Sequence, residues 1–280
     1  MASRFWVGGT GTWNDSSTAN WSATSGGASG ASVPSSADTV TFDGSSGGGT
    51  VTVAATINAS NTIQSLVCGA FTGTLDFATN NPNITFNLSS SPNFSISGTG
   101  TRTINLGSGT FTLVGNNGSV FDAATTTNLT FNAGTSTIQI NNPANGNSAT
   151  FAGGGLTYNI VTFGARSGGS QISISGNNTF AALNLNPPTF LTFGNGSAQG
   201  VTAPLAWNGS SSAQFNISSG ADTKATINCA VGSVISWALI RGMAFAGTTV
   251  PATNSFDLKN NSGVTITAPG GTAAAKVIGG

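Results

Sequence analysis

Histidine and glutamate are missing from this chain of 280 residues, and its whole charge inventory is seven aspartates, four arginines and three lysines. Each absence excludes something. Without histidine the chain lacks the commonest general base and the commonest transition-metal ligand. With zero net charge it has no basic footprint for nucleic acid, so no nucleic-acid partner is expected. Two cysteines, Cys68 and Cys229, lie 161 positions apart with no CxxC pair. Buried free thiols are the favoured reading, with a long-range disulfide as the alternative. No apolar run approaches the ~20 residues of a membrane-spanning helix, so no membrane insertion is expected. The opening "MASRFWVGG" has no basic segment followed by an apolar stretch, so the expectation is a chain without a signal peptide.

What remains is glycine (40 residues), serine, threonine, asparagine and short apolar runs. The apolar 38% comes in patterned pieces, which argues against disorder. Alternating runs rich in Thr, Ile, Val and Phe predict strands throughout: "TVTF" (39–42), "TVTV" (50–53), "TIQSLV" (62–67), "NITFNL" (83–88), "FTLV" (111–114), "TIQI" (137–140), "LTYNIVTF" (156–163), "FLTF" (190–193) and "VISWALI" (234–240) among them. Turn-formers such as "GNNGS" and "GNGS" separate them, and no helical period with caps is present.

Phenylalanines suggest a repeat. Phe121, Phe151 and Phe180 advance by 30 and 29, and Phe131, Phe163 and Phe193 by 32 and 30. A unit of this length built of short strands suits a β-solenoid coil. Inward positions would take Phe, Ile, Leu and Val, outward positions Thr and Ser, and Asn and Gly would turn the corners. The expected class is therefore all-β, a parallel β-helix-like solenoid over 39–280 preceded by a cap or docking segment over 1–38. Tandem β-sandwiches are the alternative. Trp6, Trp13 and Trp21 crowd into the opening segment, before the first strong strand pair. They are candidates for a lid on the open end of the solenoid or for an interface with a partner. Trp207 and Trp237 are expected in the core.

Catalytic and metal-ligating constellations are absent from the pattern. Asp38 and Asp43 would fall on opposite faces of a strand, and each is expected to bind a turn amide. Asp15, Asp76 and Asp122 lie near turns. Asp222 with Lys224 and Asp257 with Lys259 are expected to be exposed ion pairs. Arg102, Arg166 and Arg241 are candidate anchors for an anion, against the blander reading of solvated or interface arginines. "GGTGT" lacks the GK[ST] of a phosphate loop. The reading is a non-enzyme with no cofactor and no metal.

The segments "FWVGGTGTWNDSSTANWS…VPSSADTVTFDG", "TIQSLVCGAFTGTLDF" and "ISWALIRGMAFAG…NSFDLKNNSGVTIT" resemble repetitive β-rich proteins of tailed bacteriophages. The opening also looks like entry segments of bacterial autotransporter-like solenoids, which require export. The resemblance implies a structural protein of the virion, as a capsid decoration, head fibre or tail fibre component. Such a protein would be made in the host cytoplasm and would assemble with other virion proteins, as a homo-oligomer, with host attachment through a surface glycan as a further role. A glycan-binding tail protein and a bacterial surface adhesin are the alternatives.

Overall fold

The computed structural model describes residues 2–115, 117–141, 147–166, 169–220 and 223–270. Among them there is no helix, and no helix long and apolar enough to cross a membrane. The chain is all-β, with mostly parallel strands, and divides into two compact units, Met1–Ile140 and Asn141–Gly280.

In the first unit the chain visits three sheets in turn and repeats the circuit. The first sheet runs, in spatial order, Gly118–Asp122, Phe94–Ser95, Ser65–Cys68, Asp38–Phe42, Ala2–Trp6 and Trp21–Ser22. The second runs Leu129–Asn132, Arg102–Asn105, Thr74–Asp76, Thr50–Val53 and Gly11–Trp13, and the third Thr137–Ile140, Thr110–Leu113, Ile84–Phe86 and Thr62–Ile63. All neighbours are parallel except Trp21–Ser22, which runs antiparallel to Ala2–Trp6 at the edge of the first sheet. Such parallel pairing is not that of a β-sandwich, whose sheets are antiparallel.

Register keeps the circuit regular. On the first sheet Thr41, Val67, Ser95 and Asp122 stand opposite one another, so the numbering advances by 26, 28 and 27 from strand to strand. Like therefore stacks on like. Val40, Leu66, Phe94 and Phe121 form one inward column, and Ile84, Phe111 and Ile138 another. Most of these side chains are fully buried, each contributing ~1.5–3 kcal/mol. Outward, Thr74, Thr103 and Thr130 align on the second sheet, where Asn132 also donates to Asn105 across 2.8 Å. Alternation along a strand (period two) and identity across strands thus produce one wet face and one dry face without charge.

The second unit is less regular. One sheet holds Phe256–Asp257, Ala238–Arg241, Phe215–Ser219, Thr189–Phe193, Gln171–Ser175 and Ala149–Ala152. Another holds Met243–Ala246, Ala225–Asn228, Ala198–Val201, Thr179–Leu185 and Thr157–Phe163. A third, Ala206–Asn208, Val234–Ser236, Val250–Thr253 and Val264–Ile266, joins later circuits. Phe151, Ile174, Phe193 and Ser219 stand in register, and here the numbering advances by 23, 19 and 26.

These shorter circuits correct the phenylalanine repeat. Phe151 aligns with Ile174, not Phe180, and Phe180 lies on the other sheet opposite Tyr158 and Val201. Phe163 and Phe193 likewise belong to different sheets. A constant spacing near 30 drifts from one face to the next when the circuit is shorter than the spacing.

Two expected strands are each split by a corner. "TIQSLV" becomes Thr62–Ile63 and Ser65–Cys68, on different sheets, with Gln64 at the bend. "VISWALI" becomes Val234–Ser236 and Ala238–Arg241, and Trp237 takes the left-handed backbone (φ 56°) between them. This also corrects Trp237's assignment to the core: it is half-buried, whereas Trp207 is 1% exposed. A bulky residue in that conformation costs ~1–2 kcal/mol. Asn254, with φ 50°, holds a similar corner one circuit later. Elsewhere circuits approach so closely that only glycine fits: a Cβ on Gly98 would lie 1.8 Å from the Gly69 carbonyl oxygen.

Candidate functional site

The three early tryptophans come together. Trp6, Trp13 and Trp21 are each 0% exposed. Trp21 meets Trp6 and Trp13 edge to face, at centroid distances of 5.2 and 5.4 Å, and all three pack on Phe42. Strand positions explain the convergence: Trp6 and Trp21 are an opposed antiparallel pair, and Trp13 points in from the neighbouring sheet beside Val53. Trp6 Nε1 donates to the Gly9 carbonyl at 2.9 Å, while the Trp13 and Trp21 indole N–H groups have no partner among the described residues. Rings this deeply buried offer no surface to a ligand.

The aspartates serve turns. Asp43, Asp76 and Asp122 each accept from a backbone N–H two residues on: Ser45 at 2.8 Å, Ala78 at 3.0 Å and Ala124 at 3.0 Å. Asp38 accepts from the Ser35 N–H and hydroxyl and from the Ala2 N–H, with Arg4 3.9 Å away. Burial pushes its pKa up, but the Ser35 bonds and the Arg4 charge outweigh that and hold it below the usual 3.8. Asp257 does not pair with the Lys259 ammonium as expected. It accepts from the Lys259 backbone N–H at 2.9 Å, because the strand ends at Asp257 and the same-face rule no longer applies. Asp222, the expected partner of Lys224, lies outside the described residues. No group of three or more Cys or Asp side chains able to hold a metal occurs among the described residues. Cys68 and Cys229 are free and buried, and burial pushes their thiols up to about 12 and about 11.

The three candidate arginines separate completely. Arg241 is exposed. Arg102 is 1% exposed and spends its guanidinium on the backbone: Nε and Nη2 donate to Ile96 O, Nη2 also to Thr125 O, and Nη1 to Gly100 O and Thr127 O, all within 2.6–3.0 Å. It ties two successive circuits together at a corner. Arg166 is 5% exposed and makes one side-chain bond, Nη1 to Gln171 O at 2.7 Å. Among the described residues its Nε and Nη2 have no partner, and it forms no ion pair. Burial lowers its pKa to about 10, which leaves it charged at neutral pH.

Arg166 lines an open cleft of about 420 Å³ in the second unit. Its walls are corner connections. Arg166, just past Thr157–Phe163, and Ser170, just before Gln171–Ser175, line one side. The 209–214 segment is a two-residue hairpin, closed by Ser210 and Ala213, that brings Ser211, Ser212 and Gln214. In the next circuit the same corner is the single residue Trp237, so 209–214 is a local insertion. Its base packs near Trp237: a Cβ on Gly209 would lie 3.1 Å from that of Trp237. Beside them the sheet contributes outward residues that stand in register on three successive strands, Phe190, Asn216 and Leu239. Phe190 is 38% exposed. A loop inserted at one corner of a repetitive β chain is a common way to build a binding surface. The sequence singled out Arg166 only as one arginine of three; "WNGS" (207–210) marked a turn where the hairpin begins, but nothing in the strand "FLTF" marked Phe190 as exposed. No protein-family model, no curated protein and no solved structure matches the chain.

Proposed function

We propose that the chain is a β-solenoid, parallel β-helix-like, that acts as a non-enzymatic structural protein on the surface of a tailed-bacteriophage particle, as a capsid decoration, head fibre or tail fibre component. The observation that carries this reading is the in-register stacking, with inward columns of Phe, Ile and Leu and outward columns of Thr, Ser and Asn. A charge-poor, hydroxyl-rich exterior suits a protein held in an assembly, where repulsion between copies has no use. Stacked coils leave an open edge that must be covered. The tryptophan cluster is the proposed lid, supported by the reversal of Trp21–Ser22 against Ala2–Trp6 at the edge of the first sheet.

The test has two parts. Light scattering on the purified chain should find a homo-oligomer, and purified particles should retain the chain through density-gradient banding. A monomer that never bands with particles would sink the assembly reading. A second reading, a tail protein that binds a host-surface glycan, is favoured by one observation, the Arg166 cleft with its exposed Phe190.

A further inference from the structure

A buried guanidinium with unmatched donors is costly. Taking a charge out of water costs several kcal/mol unless hydrogen bonds and a counter-charge compensate. Arg102 shows what compensation looks like in this protein, with every guanidinium nitrogen bonded to a carbonyl. The Arg166 guanidinium has only its Nη1 bond among the described residues. The atoms left over are not a random pair. Nε and Nη2 sit on one edge of the planar group, with N–H bonds parallel, and this edge grips both oxygens of a carboxylate. The opposite edge is anchored by the Gln171 carbonyl, so the guanidinium plane is already oriented.

We propose that the cleft binds an acidic saccharide, with the carboxylate of a hexuronate-type sugar seated on the Nε/Nη2 edge of Arg166. Three features select this chemistry. The described lining holds one cation and no second lysine or arginine, which suits a monoanion better than a phosphate. Ser211, Ser212, Gln214 and Asn216 are neutral donors and acceptors that match sugar hydroxyls, and the exposed Phe190 ring offers a flat apolar face to sugar C–H bonds. The volume, about 420 Å³, lies within the range of small-ligand sites and accommodates one or two sugar rings. Nε and Nη2 are themselves out of contact with bulk water, so the proposal includes a local shift that turns this edge to the cleft when the carboxylate binds. This inference deepens the glycan-binding reading and does not depend on assembly, because its readout is the purified chain alone.

Titration calorimetry of the full chain at constant ionic strength, with glucuronate, galacturonate, glucose, acetate and inorganic phosphate as probes, decides the matter. At least one hexuronate should bind saturably, at least about tenfold more tightly than glucose or acetate, the factor expected for a charge-assisted pair plus sugar contacts. Arg166→Gln should bring hexuronate down to the level of glucose. Phe190→Ala, at an exposed position, should weaken it by about threefold to tenfold while the thermal melt stays unchanged. If Arg166→Gln does not fold, Ser212→Trp on the exposed hairpin takes its place and should block binding. The proposal fails if no hexuronate saturates, if glucose or acetate binds equally well, if phosphate binds more tightly, or if Arg166→Gln or Ser212→Trp leaves hexuronate binding intact. Failure here with particle-bound oligomers intact removes the ligand and spares the assembly reading. Hexuronate binding by a chain that never bands with particles does the reverse.

Discussion

Arg102 in the first unit and Arg166 in the second are both buried and both next to a corner, and neither forms an ion pair among the described residues. Every guanidinium nitrogen of one is bonded to a backbone carbonyl, and the other has two nitrogens, Nε and Nη2, without a partner among the described residues. The difference follows the regularity of the units around them. Where circuits repeat at a nearly constant length, corner carbonyls from adjacent circuits fall in reach of one guanidinium. Where successive circuits differ in length and loops are inserted, the carbonyls do not line up and a cleft opens instead. Irregularity in this repetitive fold thus leaves an open cleft where a regular corner would be closed.

The largest expected effect lies in the first unit. Trp13→Ala should destabilise it by ~3–5 kcal/mol in a denaturant melt, since a fully buried indole is lost from the cluster with Trp21 and Phe42. Arg102→Met follows, at ~2–4 kcal/mol, because buried carbonyls lose their donor. Arg166→Met should change the stability of the second unit by no more than ~1 kcal/mol, since the lost Gln171 bond is offset by removing an uncompensated charge. Equal losses in the two arginine variants would erase the contrast between them.

A smaller effect comes from Asp38. Its folded pKa lies below the ordinary value, so its contribution to stability is complete above that value and disappears as pH falls through the folded pKa. Melting temperature should therefore drop on acidification below about 3.8, and Asp38→Asn should flatten that slope. The smallest effect is chemical. Neither thiol should react with a disulfide reagent at pH 8 while the chain is folded, because burial holds both in the protonated form. Cys229, 7% exposed against 0% for Cys68, should be the first to react as denaturant rises.

Much of the fold was legible. Alternating Thr/Ile/Val/Phe runs marked the strands, and Asp beside turns marked amide acceptors, because both are local effects of side-chain alternation and short polar reach. The N-terminal strands Ala2–Trp6 and Gly11–Trp13 went unread, since glycine and turn residues between them masked the alternation. Gln64 and Trp237 concealed corners for a related reason. A one-residue bend leaves the apolar alternation nearly unbroken, so two short strands read as one long strand.

The sequence by itself determined that this protein is built of short β-strands with a dry face and a hydroxyl-rich face, and that it carries almost no charge. Those properties depend only on residue type and a period of two. Which strands stand side by side, how long each circuit is, and whether a buried arginine meets carbonyls or a cleft were decided only by the tertiary structure. They depend on register between strands that are distant in the chain, where an inserted hairpin adds its own Ser210–Ala213 bonds at a corner while both of its ends stay bonded to the next circuit.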